Sequence, residues 1–118
     1  MQNLPISQVR VVSDWIFLAG QGSLDHQSQI VGSTIEEQTR QTLANIDALL
    51  RGVGAELADV VAALVHLSDL KLFDGYNRVW DECFPDPKPT RTTVEARLLR
   101  GLLVEVTVVA SRQSAPNA

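Results

Sequence analysis

One arginine stands at a place where it could bind an acidic ligand. Arg91 follows Lys88-Pro89-Thr90 and opens a segment that alternates polar and apolar residues, so we predict it at the start of a strand, near the rim of a cleft. A guanidinium there can hold a carboxylate through two parallel hydrogen bonds. The alternative is an ordinary surface arginine, the usual setting of this residue type.

One glutamate interrupts an otherwise apolar segment. Glu105 lies between Leu103-Val104 and Val106. In an antiparallel sheet it could simply face solvent. If an oligomer covers that face, the carboxylate is partly desolvated and suited to handle the proton of a water molecule. We expect Arg91 and Glu105 on neighbouring strands.

A third candidate lies on a predicted helix. Asn77 comes four residues after Phe73 and three before Trp80, so it lies near the apolar stripe of that helix. Its amide needs hydrogen-bond partners, in the sheet backbone or in a ligand. We favour the structural role.

Other reactive residue types form no recognisable site. His26 and His66 have no further ligands at metal-binding spacing, so His26 is interpreted as solvated and His66 as a satisfied sheet residue. Cys83, the one cysteine, lies on the apolar stripe of a helix and is interpreted as core. Gly20-Gln21-Gly22 lacks the rest of a phosphate-binding loop.

Composition limits the class of protein. The 118 residues are 45% apolar and carry a formal charge of −4, with Lys and Arg scattered, so we predict a single domain over 1–118 that binds no nucleic acid. No apolar segment is long enough to span a bilayer, and no secretory signal is recognisable. We therefore expect a cytoplasmic protein without membrane contacts, and a disordered tail at about 112–118.

The first half of the chain predicts a hairpin and a helix. Apolar segments on either side of Ser13-Asp14 are typical of two strands joined by a turn. After a polar loop over 21–32, apolar residues recur at helical spacing over about 34–52. Ser33 and Glu36 have the spacing of a capping box at its start.

The second half predicts three more strands and a second helix. A valine-rich segment indicates a buried strand over about 60–67. Asp69 caps a helix predicted over about 70–83. Alternating segments predict strands over about 92–98 and 103–111.

The resulting β-β-α-β-α-β-β order predicts an α+β two-layer sandwich with both helices on one face of a mixed sheet. The other sheet face stays open and partly apolar, with Leu103 and Val109 among its candidate members. Self-association is the simplest way to cover it.

Five stretches between about Pro5 and Ala110 resemble the RidA/YjgF family of small trimeric proteins. The stretches are Pro5-Ile6-Ser7-Gln8, Leu18-Ala19-Gly20-Gln21, the first helix from Ile35 to Ile46, the second from Phe73 to Phe84, and Pro89 to Glu95. The last resembles the family signature Pro-Ala-Arg-Ser/Thr-X-Val-Glu. Jointly these stretches are specific, although each alone is weak.

The resemblance implies a chorismate-mutase-like fold and a homotrimer whose three sheets form a central barrel, with sites in clefts between subunits. It also implies hydrolysis of enamino and imino acids to 2-oxo acids and ammonia, as in 2-iminobutanoate/2-iminopropanoate deaminases, with an aminomuconate-type deaminase left open. The family uses no cofactor and no metal. The same cleft could instead serve a non-catalytic trimer that binds 2-oxo acids.

Four family positions are retained. The arginine that holds the substrate carboxylate falls on Arg91, and the glutamate that orients water falls on Glu105. The glycine whose backbone faces the substrate falls on Gly20, and the helix asparagine on Asn77.

Three substrate-binding positions depart from the family pattern. Ile6 replaces a tyrosine, Ala19 a serine, and Thr93 a common cysteine whose backbone N–H can still serve. Losing two hydroxyls makes the predicted pocket more apolar. We therefore expect a bulkier or less polar imino acid, or an aminomuconate-like compound, to fit at least as well as 2-aminoacrylate.

Overall fold

The computed structural model describes residues 4–112 of the 118. Over these residues the chain forms five strands and two α-helices in the predicted α+β order. They are β1 (Val9–Val12), β2 (Trp15–Leu18), α1 (Ile35–Arg51), β3 (Val60–Leu67), α2 (Phe73–Cys83), β4 (Thr90–Glu95) and β5 (Val104–Ser111). The strand order in the sheet is β1-β2-β5-β3-β4.

The sheet is mixed because α2 connects two adjacent parallel strands. β3 and β4 pair in parallel, which requires a crossover connection, and α2 supplies it. The remaining pairs, β1–β2, β2–β5 and β3–β5, are antiparallel.

The core lies between the sheet and the two helices. Alternate β5 residues, from Val104 to Ala110, are buried and pack with Leu43, Ile46 and Leu50 of α1. From α2, Tyr76, Trp80 and Phe84 complete the cluster. The strict alternation along β5 leaves its odd-numbered residues on the opposite face.

That opposite face carries large apolar side chains in contact with solvent. Trp15 and Phe17 of β2 are each 45% exposed, and Leu64 of β3 is 39% exposed. Val109 lies on this face, beside Phe17, as predicted. Leu103 precedes β5 and is instead partly buried against the core cluster. The single chain therefore leaves an apolar surface uncovered.

The capping box of α1 lies one residue later than predicted. Thr34, not Ser33, is the N-cap, and its hydroxyl accepts a hydrogen bond from the Glu37 N–H at 3.1 Å. Glu37, not Glu36, accepts from the Thr34 N–H at 3.2 Å. The shift arises because it buries Ile35 against the core.

Helix α2 begins later than predicted. Asp69 does act as a cap, accepting from the Lys71 N–H, but of a 3₁₀ turn over Leu70–Leu72. The α-helix follows at Phe73.

Strand β4 is displaced from its predicted position over 92–98. It runs over Thr90–Glu95 because its parallel partner β3 ends at Leu67. The Ala96 N–H donates to the Leu67 carbonyl and closes the ladder. Ala96 to Leu98 therefore continue the alternating pattern without a strand to pair with.

The chain is held closed near its described end. Arg112, the first residue of the predicted tail, donates its backbone N–H to Asp14 and its guanidinium to Val53 and Ser13 carbonyls. The rest of that predicted tail lies outside the described residues. No helix between residues 4 and 112 is long and apolar enough to cross a bilayer.

Candidate functional site

Helix α2 supplies an aromatic enclosure for Arg91. The Arg91 guanidinium carbon lies 4.8 Å from the ring centroid of Tyr76, 5.2 Å from that of Trp80 and 5.5 Å from that of Phe73. Its Nη2 donates to Asn77 Oδ1 at 2.8 Å. Cation–π contacts and this hydrogen bond fix the guanidinium over one face of α2. Asn77 is exposed and binds Arg91, not the sheet backbone.

Arg91 has no carboxylate partner in the part of the chain that the structure describes. It lines a cleft of about 460 Å³, the Arg91 cleft, together with Asn77, Arg78, Trp80, Asp81, Lys88 and Pro89. Arg78 pairs with Glu36 at 2.7 Å, and Lys88 pairs with Asp81 at 3.1 Å. No carboxylate among residues 4–112 lies within 4.0 Å of the Arg91 guanidinium nitrogens. An acidic ligand entering this cleft therefore meets one uncommitted positive charge.

The hydroxyl of Thr93 is engaged with an aromatic neighbour of Arg91. Thr93 Oγ1 and Tyr76 Oη lie 2.6 Å apart in a hydrogen bond. Burial raises the pKa of the Tyr76 phenol, although this hydrogen bond and the Arg91 charge act to lower it. Tyr76 consequently stays neutral at physiological pH and does not neutralise Arg91.

Glu105 lines a second cleft, which is bounded by the open face of β5, the residues after β2 and one side of α1. This Glu105 cleft has a volume of about 700 Å³ and includes Ile6, Ala19 and Gly20, three of the predicted site residues. Its wall also contains the apolar side chains of Leu4, Leu24, Leu49 and Leu99, and polar side chains that include Gln8, Gln21, Asp25 and His26. The Ile6 side chain is 56% exposed and available for contact.

Gly20 makes room for the Glu105 carboxylate. A methyl group at Gly20 would lie 2.9 Å from Glu105 Cδ and 3.0 Å from its Oε1, closer than side chains approach each other. Gln21 fixes this stretch by exchanging two backbone hydrogen bonds with Val106 of β5, at 2.8 and 2.9 Å. A side chain at this position would therefore displace the carboxylate from its place.

The two clefts do not meet within one chain. Arg91 and Glu105 were expected on neighbouring strands, but β3 lies between β4 and β5. Arg91 is paired with Ala63, which is buried on the helix side, whereas Glu105 is paired with His66 on the open side. The expectation was wrong because adjacency in sequence does not fix strand order.

The sequence interpretation also missed the environment of His66. Its Nδ1 is buried, lacks a hydrogen-bond partner among the described residues, and lies 3.7 Å from Glu105 Oε1. The prediction of a satisfied sheet residue was therefore wrong. Only the strand register, which pairs His66 directly with Glu105, could have revealed this contact.

Cys83 and His26 lie in the settings that their sequence context indicated. Burial raises the pKa of the Cys83 thiol, which keeps it protonated and poorly nucleophilic. His26 is exposed in its loop. Within residues 4–112, no group of three or more His, Cys, Asp or Glu side chains is placed to hold a metal ion.

Comparison with known proteins gives consistent matches over nearly the whole chain. Residues 3–112 match the protein family described as Endoribonuclease L-PSP. A RutC family protein of Saccharolobus solfataricus is 41% identical over 110 residues, which are 92% of this chain and 87% of that protein. Reactive Intermediate Deaminase A, chloroplastic, of Arabidopsis thaliana is 32% identical over 80% of this chain and 51% of its own.

A solved structure has the same fold. The crystal structure of a member of the YjgF protein family from Neisseria meningitidis superposes with a TM-score of 0.85 at 33% identity, covering 96% of this chain and 92% of that one. The sequence match, the curated relatives and the shared five-stranded fold agree with the resemblance carried by Pro89 to Glu95. The chain therefore belongs to the RidA/YjgF family.

Proposed function

We propose that this protein hydrolyses reactive imino and enamino acids to 2-oxo acids and ammonia. The observation that carries the proposal is the Arg91 guanidinium, which is fixed by three aromatic rings and Asn77 yet has no described carboxylate partner. Such a group is preorganised for a substrate carboxylate. One relative is named as a reactive intermediate deaminase, which supports the same reaction class.

The complete site is proposed to form between chains of a homotrimer. Arg91 and Glu105 lie on opposite faces of one sheet, so a single chain offers each only half of a site. The uncovered apolar face, with Trp15, Phe17 and Leu64, provides a surface for assembly. A central barrel of three sheets would cover that face and bring the Arg91 cleft of one chain to the Glu105 cleft of the next.

In this arrangement the reaction needs water and correctly placed polar groups. Arg91 holds the carboxylate and thereby fixes the adjacent imine carbon. Glu105 accepts a proton from the attacking water, whose oxygen bonds to that carbon. That proton passes to the nitrogen and gives a carbinolamine. The hydroxyl proton then moves to the amino group, the carbon–nitrogen bond breaks, and ammonia leaves as the carbonyl forms. An enamino acid first tautomerises to the imine. Backbone groups at Gly20 and Thr93 orient the imine.

The apolar part of the Glu105 cleft, around Leu4, Ile6 and Ala19, favours substrates with sizeable apolar side chains. Ile6 and Ala19 line the cleft without side-chain hydroxyls. Burying an apolar substituent against such a wall is favourable, whereas a very small substrate gains little from it. We propose an imino acid derived from a branched or aromatic amino acid, or an aminomuconate-like compound, in preference to 2-aminoacrylate.

A nuclease reaction, which the description of the matching family would suggest, has less support. Nucleic-acid binding relies on several uncompensated cations, and the chain has a net charge of −4. In the Arg91 cleft, Arg78 and Lys88 are already paired with carboxylates. One remaining guanidinium suits one carboxylate better than a phosphodiester chain.

Non-catalytic binding of 2-oxo acids is the second candidate. Ile6 and Ala19 leave the Glu105 cleft without the two hydroxyls that the family pattern would place there, which favours binding over turnover. Retention of Glu105 beside Gly20 favours the hydrolase. A cytoplasmic location stays a prediction.

A competition assay separates the two candidates. An amino-acid oxidase generates imino acids from leucine, phenylalanine or alanine in the presence of semicarbazide, and a deaminase lowers the rate of semicarbazone formation. We expect the wild type to do so, more strongly with leucine or phenylalanine than with alanine. An unchanged semicarbazone rate with all three amino acids would rule out hydrolysis of these imino acids and leave the binder or an aminomuconate-type substrate.

Two groups of variants locate the activity. Arg91→Ala and Glu105→Ala should each lower kcat/KM by about a hundredfold or more, since each removes a group that contacts the reacting species. Asn77→Ala should cost less, because Arg91 keeps its aromatic contacts. Arg97→Ala, an exposed arginine beyond β4, is the matched control. Full activity in Arg91→Ala would contradict the proposal.

A further inference from the structure

His66 has a buried polar atom that faces the proposed water-orienting carboxylate. It lies on β3 directly opposite Glu105 of β5, and Val94 of β4 flanks it on the other side. Its Nδ1 is shielded from solvent and has no hydrogen-bond partner among the described residues. A buried polar atom without a hydrogen bond is destabilising, so a hydrogen bond from Nδ1 to a nearby acceptor would be strongly favoured.

Glu105 is the acceptor within reach. Its Oε1 lies 3.7 Å from His66 Nδ1, and no other carboxylate of residues 4–112 lies within 4.0 Å of that ring. Hydrogen bonds that serve a reaction are often long before substrate binds and shorten in the complex. Gly20 packs against the same carboxylate, so Glu105 is confined by Gly20 and His66 together.

We propose that His66 is a positioning residue for Glu105: its neutral ring carries the proton on Nδ1 and donates it to Oε1. That bond fixes the carboxylate plane and leaves the second oxygen free to orient water. The inference rests on the proposed hydrolase function. It adds a residue that does not contact substrate and acts through Glu105.

Kinetics of three variants test the role. His66→Phe keeps an aromatic ring of similar shape but removes both nitrogens, so kcat should fall about tenfold or more while KM stays within about twofold. His66→Gln restores an N–H donor and should recover part of the lost kcat. Thr92→Val, which removes a polar group from the same open face, is the matched control. Wild-type kcat in His66→Phe, or no recovery in His66→Gln, overturns the proposal.

A spectroscopic measurement tests the contact without any turnover. ¹⁵N NMR of the histidine rings, recorded over a pH series that identifies the neutral form, distinguishes the Nδ1–H from the Nε2–H tautomer. We expect Nδ1–H for His66 in the wild type and Nε2–H in Glu105→Ala, because free imidazole side chains favour the latter. An Nε2–H tautomer in the wild type overturns the proposal. If the Nδ1–H tautomer is found in a protein without deaminase activity, the contact stands and the proposed function alone fails.

Discussion

Arg91 shows why a residue type alone carries little information about function. Most arginines lie at the surface and bind water. Arg91 differs because α2 presents Phe73, Tyr76 and Trp80 to its guanidinium, while Asn77 fixes its orientation. Restraining the side chain before the ligand arrives reduces the entropy lost on binding. The aromatic stripe of α2 therefore serves both the core and the proposed site.

Gly20 offers a test at the scale of one methyl group. In Gly20→Ala the new Cβ would overlap the end of the flexible Glu105 side chain, so the carboxylate should move while the backbone stays in place. We expect loss of most deaminase activity with a melting temperature close to that of the wild type. Activity assays and thermal denaturation measure the two effects separately.

A matched glycine substitution controls for general effects of the added methyl. Gly52 caps α1 in a right-handed conformation, and the nearest atom to an added Cβ is a carbonyl oxygen at 3.4 Å. Gly52→Ala should leave both activity and stability near wild type. Equal activity in Gly20→Ala and Gly52→Ala would show that the close approach to Glu105 has no functional consequence.

At the scale of elements, the start of α1 distinguishes two adjacent residues. Thr34 accepts the Glu37 N–H through its hydroxyl, so Thr34→Ala should lower the free energy of unfolding by about 1 kcal/mol. Ser33→Ala keeps the Ser33 backbone N–H that donates to Glu37 at 2.9 Å, and should change stability little. Chemical denaturation of both variants measures the difference. A larger loss of unfolding free energy in Ser33→Ala than in Thr34→Ala would indicate that Ser33 is the N-cap.

Local patterns predicted which elements form, because each strand and helix must bury one face. The valine-rich segment gave β3 its bounds at Val60–Leu67, and the apolar stripe indicated α1 within two residues. The boundaries of β4 were wrong because its partner β3, distant in sequence, decides where it ends. Local sequence therefore determines which elements form, whereas the length of an element also depends on the tertiary contacts that it makes.

At the scale of the whole molecule, the division of the site was hidden from the sequence. The motifs around Gly20, Arg91 and Glu105 indicated which residues act, since their types and neighbours carry the family resemblance. They gave no information that β3 separates β4 from β5, or that Arg91 and Glu105 face opposite sides. The sequence also did not reveal the contact between His66 and Glu105, because the two residues meet only through the pairing of β3 with β5.

Mixed assemblies test whether the site is shared between chains. Arg91→Ala and Glu105→Ala chains are co-expressed in equal amounts with the same affinity tag, and all assemblies are purified together. If each site joins Arg91 of one chain to Glu105 of the next, random mixing makes about a quarter of the sites intact, and activity returns although each variant alone has none. Two inactive chains that restore each other would be difficult to explain by a site within one chain.

Co-expression of the wild type with the double variant Arg91→Ala/Glu105→Ala supplies the second measurement. A shared site again leaves about a quarter of the sites intact, because both contributing chains must be wild type. A site contained in one chain leaves about half of them intact in this mixture and none in the first. The two mixtures therefore distinguish a shared site from a site within one chain in two ways: by the recovery of activity in the first mixture and by the fraction of activity that remains in the second. An inactive first mixture together with a half-active second one would contradict the shared site and indicate that Arg91 and Glu105 act within one chain.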